Sequence, residues 1–190
     1  ALAFVRENRE NPFFVYLAVA IPHAAMQVPE SSAAPWRKKF PQFEDKIGKY
    51  GGSEVTNPIA GFAGMMTLLD DGVGELLALL EELEIDENTL VMLTSDNGPP
   101  REGGHDPDFF DSNGPLRGYK RDLSEGGIRV PMLARWPGKI AAGSMTAHVS
   151  AHWDVMPTAL ELAGAEVPAD ISGISFLPTL LGEEQPGHDY

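Results

Sequence analysis

The chain contains no cysteine. Disulfide staples, thiolate metal sites and thiol nucleophiles are therefore excluded from its 190 residues. The redox compartment stays open, because a cysteine-free chain suits either environment. Positive charge is scarce: 14 Lys and Arg face 28 Asp and Glu, a formal net charge of -14. That balance argues against nucleic acid or an anionic membrane surface as a partner. It leaves room for a small anionic substrate at a locally positive site. No run approaches the roughly 20 consecutive apolar residues that cross a bilayer. The opening ALAFVRENRENPFF lacks the basic n-region and apolar core of a signal peptide. It lacks an initiator Met as well and reads as the tail of a helix running into a strand, so an upstream portion is expected.

What is present supports a packed core, since 43% of the residues are hydrophobic, and the length suggests one domain. Residues 11–23 (NPFFVYLAVAIPH) form a short apolar run of the kind that makes a fully buried strand in a parallel or mixed sheet. A polar, Pro-containing connection over about residues 27–55 predicts a surface loop with a short helical piece. The spacing of Ile59, Phe62, Met66, Leu69, Val73, Leu76, Leu77, Leu80 and Leu83 then predicts a long amphipathic helix. Asn57 is its N-cap and Pro58 its first helical residue. The acidic EELE at its end opposes the helix dipole and implies exposure. TLVMLTS (89–95) is a strand, residues 128–136 another, residues 146–149 a short third, and about 154–163 a helix. Strand, helix, strand order gives the fold class: α/β, part of a mixed, mostly parallel sheet flanked by helices.

Ligands of open α/β sheets collect beyond the carboxyl ends of strands. Asp96 and Asn97 lie at such a place, and His23 ends its own apolar run. A carboxylate and an amide oxygen are hard donors suited to Ca²⁺ or Mg²⁺. Alone, Asp96-Asn97-Gly98 reads first as a turn, His23 as a structural histidine, and Lys120 as a solvated lysine. His105, in the loop REGGHDPDFFD, borders the substrate pocket in one reading and decorates the surface in the other.

The combination carries more. A strand ending in Pro22-His23, then Ser95-Asp96-Asn97-Gly98 after a strand, then GPLRGYKRDLSEGGIRVP resembles sulfatases of the arylsulfatase type, within the alkaline-phosphatase-like superfamily. SAHWDVMPTALELAG and GISFLPTLLGE extend the resemblance over nearly the whole chain. It implies that Asp96 and Asn97 are metal ligands for a divalent cation, calcium or magnesium. It implies that His23 and Lys120 are catalytic and substrate-binding, contacting the sulfate ester and its departing oxygen, with His105 a further substrate contact. It also implies a formylglycine nucleophile made from Cys or Ser in a C/S-x-P-x-R motif, which these residues lack. Ala33-Ala34-Pro35-Trp36-Arg37 matches only the Pro and Arg spacing. Asp70-Asp71 mimics the family's paired aspartates, yet it falls mid-helix, where neighbouring side chains diverge.

Residues 1–190 are accordingly expected to be the middle-to-late portion of a sulfatase catalytic domain, without the N-terminal nucleophile region or most of the C-terminal subdomain. Such a chain is expected to be inactive alone and to self-associate through uncovered edges. The implied activity is sulfuric ester hydrolysis on an aryl or carbohydrate sulfate. A phosphomonoester, phosphodiester or phosphonate hydrolase of the same superfamily, and a non-catalytic sulfated-glycan-binding domain, are the alternatives. A bacterial member would be periplasmic or secreted, though these residues do not fix localisation.

Overall fold

The structure is a computed structural model and describes residues 1–188. Its elements in chain order are helices α1 (Leu2–Asn8) and α2 (Glu30–Lys39), strands β1 (Ile47–Tyr50) and β2 (Ser53–Thr56), and helix α3 (Pro58–Glu82). Strand β3 (Val91–Thr94), helix α4 (Glu125–Ile128), strand β4 (Met132–Arg135), and helices α5 (Val155–Leu162) and α6 (Leu177–Leu181) follow. The described residues divide into two units, one of 1–84 with 93–132 and the other of 85–92 with 133–188, where the length alone suggested one domain.

In the first unit α3 begins as the sequence predicts. Asn57 Oδ1 accepts a hydrogen bond from Ala60 N at 3.0 Å. Its Nδ2 donates to Phe40 O at 3.0 Å and Glu44 Oε1 at 2.8 Å. This fully buried residue caps the helix and ties it to the chain before β1; such a cap is worth about 1–2 kcal/mol. The core face differs from the predicted stripe. Ile59 and Leu80 are buried as expected, but Ala60, Ala63, Met65 and Leu79 join them while Met66 is exposed. Small residues win at the N-terminal end because α2 packs closely there, with Trp36 Nε1 donating to Thr67 Oγ1 at 3.0 Å. At the acidic end, Arg6 grips Glu82 through two hydrogen bonds of 2.7 and 3.0 Å. The cation offsets the helix dipole and lowers the Glu82 pKa, chiefly through the hydrogen bond.

The connection of residues 27–55 holds more order than its polarity suggests. Strands β1 and β2 pair antiparallel, with Ile47 opposite Thr56 and Tyr50 opposite Ser53. Gly51 and Gly52 have φ of 55° and 84°, the left-handed pair that a two-residue hairpin turn requires. The near-motif Ala33–Arg37 lies within α2, where Arg37 pairs with Glu44 and Glu30, a structural use of that arginine. Asp70 and Asp71 sit exposed in mid-α3.

Three strand expectations need correction. Residues 13–20 carry no regular secondary structure and belong to no ladder, and Tyr16 is 84% exposed. A strand exists through its partners, and none flanks this run among the described residues. The described strands form two two-stranded sheets, β1–β2 and β3–β4, so the mostly parallel sheet is not observed. The strand expected over 128–136 shrinks to β4, because Gly126-Gly127 lets the preceding chain coil into α4, and residues 146–149 carry no strand.

In the second unit the fully buried Asp154 organises the tail. It accepts from Ala151 N at 2.7 Å, from Ile174 N at 2.9 Å, and lies 2.9 Å from His188 Nε2. Thr158 Oγ1 donates to Asp154 O at 2.7 Å and accepts from Phe176 N at 3.0 Å, which seats the buried Phe176 ring.

Candidate active site

Strand β3 delivers Ser95, Asp96 and Asn97 at its carboxyl end. Ser95 Oγ donates to Asn97 O at 3.0 Å, and Asn97 Nδ2 donates to Gly98 O at 2.9 Å. With its NH₂ committed, the amide of Asn97 turns Oδ1 the other way. Asp96 is exposed, and its carboxylate has no hydrogen bond among the described residues. Two consecutive residues thus carry hard oxygens with no hydrogen-bond partner among the described residues.

Backbone bonds bring Lys120 to this loop. Gly98 N donates to Gly127 O at 2.9 Å, Lys120 N to Pro99 O at 3.0 Å, and Gly126 N to Arg117 O at 2.7 Å. The approach is close enough that a Cβ on Gly98 would lie 1.9 Å from Gly126 O. The sequence block EGGIR therefore serves as a backbone clamp, with the Arg129–Glu125 ion pair of 3.1 Å on its outer face. The half-buried Lys120 has no ion pair among the described residues.

His23 is reached by a longer path. Arg121 pairs with Glu102 at 2.7 Å. A Cβ on the adjacent Gly103 would lie 3.2 Å from Ala25 N and 3.4 Å from the Ala24 Cβ. The His23 ring is exposed and meets Tyr50 edge-on at 5.6 Å. Ala25 and Met26 both take positive φ, 90° and 44°, strain of the kind that clusters at functional loops. One unbroken series of contacts thus runs from the Asp96–Asn97 loop through Lys120 to the His23 turn. Among the described residues none of the four side chains hydrogen-bonds another.

His105 lies inside the first unit rather than on its surface. The residue is 5% exposed. Its ring lies 3.8 Å from the Phe62 centroid and stacks on Phe110 at 5.8 Å. Neither ring nitrogen has a hydrogen-bond partner. Burial, opposed by Asp106 and aided by Lys46, pushes its pKa down to about 4 from 6.5. The apolar pair Phe109-Phe110 five residues on draws the loop into the core. Because the folded pKa is depressed, the unfolded chain takes the proton first. The neutral ring's contribution is complete above pH 6.5 and is lost as pH falls toward 4, up to about 3 kcal/mol. His105→Phe is expected to raise stability at pH 7 by about 1 kcal/mol and to flatten the decline between pH 6.5 and 4 in urea melts. An unchanged pH profile would assign that decline to other groups.

The sequence reading also passed over a cleft of about 410 Å³ lined by Arg101, Glu102, Tyr119, Lys120, Arg121 and Asp122. Basic residues flanking a tyrosine in a chain so acidic were its available signal. Among the described residues no group of three or more His, Cys, Asp or Glu gathers in a way that could hold a metal. Asp96 and Asn97 fit a hard cation, but as part of a larger donor set.

The loop past β3 thus carries two oxygen donors and is tied through its backbone to the segment that bears Lys120. The comparisons narrow the class. The sulfatase family model matches residues 1–165, and the chain belongs to the sulfatase family. It is 36% identical over 189 residues to human N-acetylgalactosamine-6-sulfatase, covering 95% of this chain and 31% of that protein. It is 37% identical over 188 residues to the steryl-sulfatase of Rattus norvegicus, covering 96% and 29%. The solved structure of Ps i-CgsB in complex with k-i-k-neocarrahexaose superposes with a TM-score of 0.77 at 33% identity, covering 96% of this chain and 37% of that one. The chain thus spans about a third of the length of these curated relatives.

Proposed function

We propose that these residues form the leaving-group side of the active site of a sulfuric ester hydrolase of the arylsulfatase type. The observation that carries this is the backbone clamp that seats Lys120 beside the Asp96–Asn97 loop. Lys120 and His23 contact the sulfate ester. When the S–O bond breaks, negative charge grows on the bridging oxygen. A lysine ammonium beside it stabilises that charge, and an imidazole hands the oxygen a proton. Both side chains keep their nitrogens uncommitted among the described residues.

Asp96 and Asn97 would hold a divalent cation, calcium or magnesium, together with donors from outside these residues. When bound, such a cation withdraws charge from the non-bridging sulfate oxygens. The nucleophile is a formylglycine contributed from outside these 190 residues, which contain neither Cys nor a Ser-x-Pro-x-Arg sequence. The chain by itself therefore has no turnover. Its substrate is an aryl or carbohydrate sulfate. One carboxylate and one neutral amide, rather than two carboxylates, keep the site's negative charge low, which suits a sulfate monoanion over a phosphate dianion.

An intact sulfatase carrying this segment is expected to hydrolyse 4-nitrophenyl sulfate at least about tenfold faster than 4-nitrophenyl phosphate, a difference of about 1.4 kcal/mol in barrier. A phosphate preference would overturn the assignment in favour of a phosphoester hydrolase.

A further inference from the structure

We propose that Tyr50, at the end of strand β1, is a positioning residue for His23, so that the β1–β2 hairpin forms part of the active site. The proposal rests on the reading that His23 hands a proton to the departing ester oxygen, and Tyr50 acts only through that imidazole.

The His23 ring is exposed, and among the described residues no hydrogen bond or ion pair of its side chain fixes it. A side chain so placed has several staggered rotamers open to it, whereas a proton donor works from one orientation toward the oxygen it serves. Among the described residues, the ring that meets it is that of Tyr50, edge-on, with centroids 5.6 Å apart and planes at 76°. Two aromatic rings prefer this geometry. The ring makes the contact and the hydroxyl does not, for the hydroxyl has no hydrogen bond among the described residues.

The packing of β1 explains why Tyr50 stands there. Alternation along the strand puts Gly48 and Tyr50 on one face. Lys49 takes the other face and pairs there with Glu54, its neighbour across the hairpin. Gly48 is buried against the turn at residues 103–104, where a Cβ on it would lie 2.1 Å from Gly103 O and 2.8 Å from the Pro58 Cβ. Gly103 in turn packs on Ala24 and Ala25, the residues that follow His23. Three backbone segments are thus stacked, β1 on the 103–104 turn and that turn on the chain after His23, with glycine at each contact. A side chain at position 48 would lift β1, and Tyr50 two residues on would lose its reach to the imidazole. Both rings therefore stand on backbone pinned to the same turn, and the pair holds although each ring is partly in water.

Steady-state kinetics on an intact sulfatase carrying this segment test this, with aryl sulfates of good and poor leaving groups. Tyr50→Ala is expected to lower kcat about tenfold for a poor leaving group, the upper end of what one ring contact supplies. KM should move by less than about twofold, since the proton is transferred only in the transition state. The loss fades for leaving groups that depart without a proton. Tyr50→Leu, which keeps bulk but no ring, should follow the alanine variant, and Tyr50→Phe should recover most of the rate. In a His23→Ala background Tyr50→Ala should cost nothing more, because a residue that acts through another falls silent once its target is gone. Thermal melts of each variant confirm that the fold is retained. A loss equal for all leaving groups, shared by Tyr50→Phe, or undiminished in the His23→Ala background overturns the proposal. A slow His23→Ala beside an unchanged Tyr50→Ala and Tyr50→Leu overturns the proposal alone, whereas His23→Ala at the parent rate overturns the reading of His23 and the proposal with it.

Discussion

Lys120→Ala, made in an intact sulfatase that carries this segment, is expected to lower kcat/KM for an aryl sulfate by about a hundred- to ten-thousand-fold, the range for losing a positioned acid or a charge-stabilising donor. The fold should not notice. Position 120 is held by its backbone, through the N–H to Pro99 O, and that bond survives any side chain except proline. The ammonium itself makes no ion pair among the described residues. Melting temperature is therefore expected to stay near that of the parent. Rates on a series of aryl sulfates provide the sharper check. If Lys120 stabilises the departing oxygen, the loss is greatest for poor leaving groups and fades for those that carry the charge unaided. Lys120→Arg should recover only part of the rate, because a planar fork cannot occupy the place of a compact ammonium. A variant within threefold of the parent on every ester would remove Lys120 from the chemistry.

Gly98→Ala acts on the same site through the backbone. The new methyl would lie 1.9 Å from Gly126 O and 2.9 Å from the carbonyl carbon. No rotamer relieves a clash with main chain, so the Gly98 N–Gly127 O hydrogen bond must open. Overpacking plus a lost buried bond costs about 3 kcal/mol, read as a lower urea midpoint at unchanged m. Activity should fall with stability, since the clamp that parts is the one that seats Lys120. Gly72→Ala is the control. That glycine sits in α3 with nothing within 4 Å of an added Cβ, and alanine there should stabilise by up to about 1 kcal/mol. A Gly98→Ala variant as stable as the parent would show that the two loops are not pressed together.

How far the sequence carried depended on whether a signal was local. Helix α3 was legible from Asn57-Pro58 and its periodicity, because capping and amphipathicity are written within one segment. The hairpin β1–β2 was legible too, in Gly51-Gly52 between short polar strands, but its charged alternation was read as loop. Residues 13–20 show the opposite failure. Their apolar run has the composition of a buried strand, yet burial and pairing are properties of neighbours, and composition names none. At the candidate site, Asp96, Asn97, Lys120 and His23 were marked by motif order, while the contacts that link them run through backbone atoms and glycines that no residue type advertises. The burial of His105 was not legible because its polar neighbours Asp106 and Asp108 suggest exposure, while the rings of Phe62 and Phe110 decide where it packs. The cleft was missed because its members, Arg101 and Glu102 on one loop and residues 119–122 on another, meet only in three dimensions.

Asp154 has a consequence for the end of the chain. Residues 163–176 contain no regular secondary structure, so no ladder or helix stiffens them. They are closed instead by one carboxylate reaching 20 positions ahead to the Ile174 amide. Closing a loop of that length forfeits entropy that grows only as the logarithm of its span. Few anchor points can therefore hold it, and lengthening the loop by a few residues would scarcely loosen it. A second fastening lies at its far end, where the Phe176 amide meets Thr158 Oγ1 and the ring is buried, so losing the carboxylate would free the middle of the stretch before its end.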